Sequence, residues 1–268
     1  VYYSDLFEPM AKRILARKLP PTGKRVAVAG AGPTGLTAAF YLAMLGHDVT
    51  VFEAHEQPGG MLRYALPEYR LPKSVLDQEI ELIRRTGVKF VCNTRVGYDL
   101  TLNELDNQFD GVFLSVGTWK ESAVDMPGVE LNGVMHALSF LEAVGKGEQV
   151  NLGRRVIVIG GGNAAIDSAR TVLRMGSSVT VVYRRERKDM PAIAEETAAA
   201  EAEGAHFVFL AAPHRIVGEH GCVKGIEVVK TRLGEFDASG RRKPVLTEEI
   251  QGFKCDTVIL AIGERVDP

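Results

Sequence analysis

Residues 25–53 read RVAVAGAGPTGLTAAFYLAMLGHDVTVFE, and residues 155–183 read RVIVIGGGNAAIDSARTVLRMGSSVTVVY. Displacing the chain on itself by 130 residues lays one stretch over the other without a gap, with 10 of 29 columns identical, so one unit is written twice. In each copy an apolar, β-branched run (Val26 and Val28; Val156 to Ile159) enters a glycine-rich turn. A helical stretch follows, stopping at Gly46 in the first copy and near Gly176 in the second, and a second apolar run closes the unit (Val49 to Phe52; Val179 to Val182). Strands this apolar belong to a parallel sheet covered by helices on both faces. The pattern is βαβ, twice, in an α/β chain.

The first turn, GAGPTG, places Gly30 at the tight bend, Gly32 where backbone approaches a pyrophosphate, and Gly35 where the helix packs closely on its strand. Free N–H groups and the positive end of the following helix suit phosphate. Glu53, 23 residues after Gly30, stands at the end of the second strand, where a carboxylate accepts hydrogen bonds from a ribose diol. The second turn, GGGNAA, keeps Gly160 and Gly162 but carries Ala165 in the third position. Its second strand ends in Tyr183 and then Arg184, Arg185, Glu186, Arg187 and Lys188. These bases are compatible with a merely solvated face; their position, matching Glu53 of the first copy, suits a ribose 2′-phosphate, which arginine binds with a planar fork of donors. Two Rossmann-like dinucleotide-binding domains are therefore expected, over residues 1–122 and 123–268.

Working outward, FDGVFLSVGT (109–118) and CDTVILAIGE (255–264) each run from Asp through an apolar strand to a glycine. They put Gly117 and Gly263 at the carboxyl end of a sheet, where open α/β folds hold ligands. Between Glu53 and the first return strand, PGGMLRYALPEYRLPK (58–73) is too rich in Pro and Gly for a regular helix or central strand. It is a candidate for wrapping a cofactor, with Arg63 and Arg70 as candidate ligands. Helices are expected over Ser74 to Arg85, where Val75, Leu76, Ile80 and Ile83 form a stripe, and over Pro191 to Glu203. From Ala205 to Gly252 alternating apolar and polar residues read as an antiparallel excursion, with a turn at FDASGRRKP whose Arg241, Arg242 and Lys243 are solvated.

The 268 residues carry 32 Lys and Arg against 34 Asp and Glu, a balance that gives no net positive field to gather nucleic acid. A mean hydropathy of +0.00 describes an ordinary folded chain. No apolar run approaches the roughly 18 residues that span a bilayer, and no signal peptide opens the sequence, so the default location is cytoplasmic. Cys92, Cys222 and Cys255 are scattered, and the six histidines never recur at metal-ligand spacing, which leaves no self-contained metal or iron–sulfur site. Cys92 and Cys255 read as small buried hydrophobes. No nucleophile–base pair emerges.

Taken in order, GAGPTGLTAA with VTVFE, PGGML with LPEYRLPK, FLSVGT, VIVIGGGNAAIDSAR, VTVVYRRERKDMPA and DTVILAIG resemble the NADPH-dependent glutamate synthase small subunit family. The same flavin and pyridine-nucleotide unit occurs in dihydropyrimidine dehydrogenase and in electron-bifurcating transhydrogenase subunits. The resemblance runs from Lys24 to Pro268 and implies two domains of the flavin disulfide reductase type. It further implies FAD held by Gly30, Ala31, Gly32, Pro33, Thr34, Gly35, Glu53, Gly60, Met61, Arg70, and backbone near Leu71, Val96, Gly117 and Thr118. NADPH would be held by Gly160, Gly161, Gly162, Asn163, Ala164, Arg184, Arg185, Ala261, Ile262 and Gly263. Hydride transfer between the two cofactors needs positioning more than an acid or base. Family members usually carry a helical domain with two four-cysteine clusters before this unit and a return to the FAD domain after Gly263. The chain thus reads as a slice of that architecture, whose electrons pass to an iron–sulfur domain or subunit such as a large glutamate synthase-like chain, docked plausibly near the amphipathic segment Leu6, Phe7, Met10 and Ile14. Two other readings stand beside it: a dinucleotide-binding scaffold without flavin, which would bind nucleotide but no FAD, and a flavoenzyme that reduces an organic substrate with no partner.

Overall fold

The computed structural model describes residues 4–122, 124–236 and 240–266. The chain divides into two compact units, Val1–Thr118 and Trp119–Pro268.

In the first unit α1 (Ser4–Leu15) precedes β1 (Arg25–Ala29), α2 (Pro33–Met44), β2 (Asp48–Phe52), α3 (Met61–Tyr64), α4 (Lys73–Arg85), β3 (Lys89–Val91), α5 (Leu102–Gln108) and β4 (Gly111–Leu114). The four strands form a parallel sheet in the order β3-β2-β1-β4. Val28, Val49 and Val51 bury one face of it against Leu36, Ala39 and Ala43 of α2 and Leu76, Ile80 and Ile83 of α4. The stripe expected on α4 is thus its core face, with Val75 half-buried beside it.

The second unit runs β5 (Lys120–Glu121), β6 (Val134–His136), α6 (Ala137–Gly145), β7 (Arg155–Ile159), α7 (Asn163–Arg174), β8 (Ser178–Tyr183), a 3-10 turn (Arg187–Asp189), α8 (Ala194–Ala202) and β9 (His206–Phe209). β10 (Ala211–Glu219), β11 (Cys222–Phe236), β12 (Arg242–Lys254), β13 (Thr257–Leu260) and β14 (Glu264–Arg265) complete it. Its parallel sheet has the order β6-β13-β7-β8-β9, and β10-β11-β12 form the antiparallel sheet. Val156, Val158, Val179, Val181 and Ile259 face the helices. Ile157, Ile159, Val258 and Leu260 face Ile216, Val223, Ile226 and Val228 of the antiparallel layer.

The duplication extends to a bracket at the foot of each sheet. Asp110 accepts the Arg25 N–H at 2.8 Å, and Asp256 accepts the Arg155 N–H at 2.9 Å, so the aspartate opening each closing strand clasps the start of its neighbour. Both carboxyls sit below their usual range, Asp110 through the Arg25 N–H and the Lys24 ammonium, Asp256 chiefly through the Arg155 guanidinium.

Three expectations need correction, for the HFVF strand, the start of α8 and the segment 58–73. HFVF (206–209) is not part of the antiparallel excursion: it pairs parallel to β8 as the edge of the main sheet, and Leu210, at φ 54°, turns the chain out into β10. The two closing strands differ in placement: β13 lies between β6 and β7, whereas β4 is an edge strand that leaves Phe113 and Leu114 exposed. α8 starts at Ala194 rather than Pro191, since the preceding residues are bonded elsewhere, as described below. The segment 58–73 contains one helical turn, α3. Within the first unit Phe7 and Ala11 of α1 are buried against Leu82, with Ile14 and Phe40 packed beside them, and Met10 is half-buried. The side chain of Leu6 and the turn residues 237–239 lie outside the described residues. Arg242 is exposed but not loose, donating to the carbonyls of Gly234 and Leu233 at 3.0 and 2.7 Å. Cys255 is fully buried, and burial pushes its thiol up to about 12; Cys92 is half-buried and Cys222 exposed, and all three are free.

α7 and α8 are joined by charge. Arg170, 11% exposed, donates to Glu203 at 2.5 Å and to Glu196, and Arg174 reaches Glu203 at 2.7 Å. These arginines hold the Glu203 carboxyl down at about 2. A carboxyl lowered in the folded state stabilises it above the unfolded value and loses that contribution as pH falls toward the folded one. Glu203→Gln is expected to cost about 1–2 kcal/mol at neutral pH, discounted for partial exposure. In denaturant titrations that difference should shrink between the ordinary glutamate value of 4.5 and about 2. A deficit unchanged across this window would contradict the assignment.

Candidate dinucleotide sites

Each unit carries one glycine turn at the carboxyl end of its sheet. In the first, Gly30 has φ 98°, and a Cβ placed on it would stand 2.4 Å from the Ser115 carbonyl oxygen. A Cβ on Gly35 would stand 1.9 Å from the Gly30 carbonyl oxygen, so α2 sits on the turn at a separation that only glycine allows. A Cβ on Gly32, by contrast, meets nothing within 4 Å. The same holds at Gly162 in the second unit, while a Cβ on Gly160 would stand 2.1 Å from the Ala261 carbonyl oxygen. Gly32 and Gly162 are the N-caps of α2 and α7, and neither helix has a side-chain cap there. Backbone donors at the positive end of each helix are therefore left for an external acceptor.

The first site is closed by the segment after β2. Gly59 N–H donates to the Ala31 carbonyl at 2.9 Å, and Gly60, at φ 54°, lies against Gly32, where an added Cβ would be 2.6 Å from the Gly32 Cα. Glu53 is only 5% exposed. Its Oε2 accepts the Ala31 N–H at 2.7 Å, and its Oε1 accepts the His55 N–H and the His55 ring, both at 2.9 Å. Burial pushes this carboxyl up, but the three hydrogen bonds outweigh it and hold the group below its ordinary value, ionised. Ala31, Gly32, Gly35, Glu53 and Gly60 are thus brought together; Pro33 and Thr34 are exposed at the helix start and Met61 opens α3. Gly117, at φ 72°, and Thr118 are exposed just beyond β4. Val96 lies beyond Thr94, whose N–H donates to the Glu53 carbonyl at 2.8 Å; Arg70 and Leu71 lie half-buried in the wrapping segment.

Arg63, read as a candidate ligand, is spent on structure. Its guanidinium donates to the Pro58 carbonyl at 2.6 Å and to Asp77 at 2.5 Å. Lys73, which carried no recognisable signal beyond its place in LPK, anchors the segment: its ammonium donates to the carbonyls of Leu62 and Leu66 at 2.8 and 2.5 Å, the free end of α3. Burial lowers its pKa, against the raising influence of Glu68.

In the second site the strand alternation continues past Tyr183 and separates the two arginines. Arg184 is exposed and forms no ion pair with any described residue. Its carbonyl accepts the Thr231 hydroxyl at 2.9 Å. Arg185 is 4% exposed, turned inward, with Nε donating to the Arg242 carbonyl at 2.8 Å. Arg187 pairs with Glu201, and Lys188 with Glu186 at 2.6 Å. Of the two expected ligands, Arg184 is thus the exposed one, while Arg185 already donates to a carbonyl and the neighbouring Arg187 and Lys188 are ion-paired. Gly160, Gly162, Ala164 and Ala261 are half-buried around the turn, and Ile262 and Gly263 are exposed beyond β13. Gly161 is covered by the Tyr183 ring, which a Cβ there would meet at 2.5 Å.

Three bonds lay residues 189–193 across this turn. The Tyr183 hydroxyl donates to the Asp189 carbonyl at 2.7 Å, Ala192 N–H to the Gly161 carbonyl at 3.1 Å, and Ile193 N–H to Asn163 Oδ1 at 3.0 Å. Asn163, an expected nucleotide ligand, stands exposed at the start of α7, and its side-chain oxygen holds the approach to α8, which explains the late start of that helix. Among the described residues no group of His, Cys, Asp and Glu could hold a metal, and no helix is long and apolar enough to cross a membrane.

The model of the family described as pyridine nucleotide-disulphide oxidoreductase matches residues 24–268. The NADP(+)-dependent formate dehydrogenase subunit beta of Moorella thermoacetica is 44% identical over 92% of this chain and 36% of its own length. The glutamate synthase [NADPH] small chain of Escherichia coli K12 is 38% identical over 98% of this chain and 59% of its own. The chain thus spans from about a third to three fifths of these relatives. Among solved structures, Mycobacterium tuberculosis FprA in complex with NADPH shares the fold with a TM-score of 0.78 at 22% identity, covering 93% of this chain and 72% of that one.

Asn163→Ala is expected to speed amide hydrogen exchange at Ile193 in the nucleotide-free chain while β7 and β8 stay protected. Unchanged exchange at Ile193 would show that the side-chain bond does not hold the segment.

Proposed function

The chain belongs to the pyridine nucleotide-disulphide oxidoreductase family, and from that premise we propose that it takes a hydride from NADPH in the second unit onto FAD in the first and passes electrons to iron–sulfur centres of a partner domain or subunit. One observation carries the reading: a single βαβ unit occurs twice, with opposite charge at the matching strand ends, Glu53 in one and Arg184 in the other.

Both groups fit the residues present. The uncapped helix starts at Gly32 and Gly162, with open space where a Cβ would stand, suit a pyrophosphate. Glu53 retains acceptor capacity for a ribose diol, and Arg184 offers an unpaired guanidinium to a 2′-phosphate. When bound, the flavin supplies the conversion of a two-electron hydride into single electrons. The protein binds, orients and insulates; the scattered cysteines supply no cluster ligands of their own, so the one-electron centres belong to the partner. The names of relatives as subunit beta and small chain agree with such a division of labour. Residues Gly30 to Gly35, Glu53, Gly60, Met61, Arg70, Leu71, Val96, Gly117 and Thr118 are assigned to FAD. Gly160 to Gly162, Ala164, Arg184 and Ala261 to Gly263 are assigned to NADPH, Asn163 acting through the segment it holds. Arg185 is assigned to folding.

The decisive experiment is an anaerobic NADPH titration of the FAD-loaded chain, followed by its visible absorbance. Bleaching is expected, and a spectrum indifferent to NADPH would refute the proposal. Arg184→Ala should lower the preference for NADPH over NADH roughly 10- to 100-fold, the worth of one charge-assisted contact. Arg185→Ala should instead lower the unfolding midpoint. Equal affinity of the wild type for both nucleotides would remove the role given to Arg184.

A further inference from the structure

His55 lies outside every motif that the sequence offers, yet its ring touches both the acid at the end of β2 and the segment that closes the first site. The ring Nδ1 is 2.9 Å from Glu53 Oε1. On its other side the imidazole stacks on Tyr64, with centroids 4.5 Å apart and planes 30° from parallel. Tyr64 is in turn fixed at its hydroxyl, which accepts the Gln57 N–H at 3.1 Å and donates to the Gln57 carbonyl at 3.2 Å. A continuous path therefore runs from Ala31 in the glycine turn through Glu53 and His55 to α3.

The chemistry of the carboxylate gives this path a purpose. An ionised carboxylate only accepts, with about four acceptor positions. Two on Oε1 are taken by the His55 backbone and ring, and one on Oε2 by Ala31, which leaves one on Oε2. Because the partner is an acceptor, Nδ1 carries the proton whether the ring is neutral or cationic. Removing the ring would leave a buried oxygen short of a donor and the carboxylate free to rotate.

We propose that His55 is a positioning residue for Glu53, saturating Oε1 so that the remaining acceptor position on Oε2 is offered to a ribose hydroxyl. This rests on the reading of the first unit as the FAD site. Tyr64 is the backstop that fixes the plane of the ring, and so couples the wrapping segment to the acid.

The test is FAD affinity of the deflavinated full chain, read by quenching of flavin fluorescence. His55→Ala removes both contacts, His55→Phe keeps a ring to stack on Tyr64 but no donor, and His55→Asn places an amide N–H where Nδ1 stands. The dissociation constant is expected to rise roughly 10- to 100-fold in the first two and to return to within about threefold of wild type in the third. In a Glu53→Ala background, His55→Phe should add less than about twofold, because its effect runs through the carboxylate. Thermal midpoints of the flavin-free variants identify any that fail to fold; if His55→Phe does, the His55→Asn rescue over His55→Ala still decides. Wild-type affinity in His55→Phe, no rescue by His55→Asn, or an undiminished effect without Glu53 would overturn the proposal alone. A folded wild-type chain that takes up no FAD would overturn the flavin reading and this inference with it.

Discussion

Two carbonyl oxygens, of Ser115 and Ala261, press on the first glycine of each turn so closely that no side chain fits between. Each belongs to the residue that directly follows a closing strand, so the end of that strand, the end of β1 or β7 and the start of the next helix are locked at one point. The aspartates at the opposite ends, Asp110 and Asp256, lock the same pair of strands at the start. With both ends fixed, strand register follows, and register decides which side chains at the carboxyl edge meet the turn. Parallel strands need long crossovers, so these short-range clasps join segments distant in the chain.

From this shared frame the halves diverge at one position. At the end of β2 the chain places a buried acid whose bonds run back to the turn; at the end of β8 it places the Tyr183 ring over Gly161 and then an outward arginine. Helix N-termini suit phosphates alike, so the difference between the two proposed dinucleotide sites lies at these strand ends. The covering segments follow the same division: Gly59 and Gly60 bring backbone onto the first turn, whereas the second is spanned by residues 189–193 through Asn163 and Tyr183.

Repetition made the fold legible. Apolar runs, glycine spacing and the 130-residue displacement located β1, α2, β2, β7, α7 and β8 and the turns between them. Contacts between residues far apart in sequence were hidden. Nothing local distinguishes Arg63, bound to Asp77, from a surface arginine, or marks Lys73 as the donor that terminates α3. His55 stands at no metal-ligand spacing, and nothing in the sequence marks its pairing with an acid two residues away. One long-range outcome does have a local signal: the period of two in β8, carried through Tyr183, sends Arg184 outward and Arg185 inward. The HFVF run showed the limit of alternation itself, since an edge strand of a parallel sheet and a strand of an antiparallel one share that pattern.

The two glycine turns, alike in sequence, are not interchangeable. Gly35 has no room for a methyl group beside the Gly30 carbonyl, whereas Ala165 occupies the equivalent place fully buried. Grafting the first turn into the second scaffold would relieve that position but put Ala31 where Gly161 stands, its Cβ 2.5 Å from the Tyr183 ring, and Pro33 where Asn163 accepts the Ile193 N–H. The reverse graft would drive a carbon into a carbonyl oxygen and push α2 off its sheet. Each turn is therefore keyed to its own cover, and recombination between the two halves is barred in both directions.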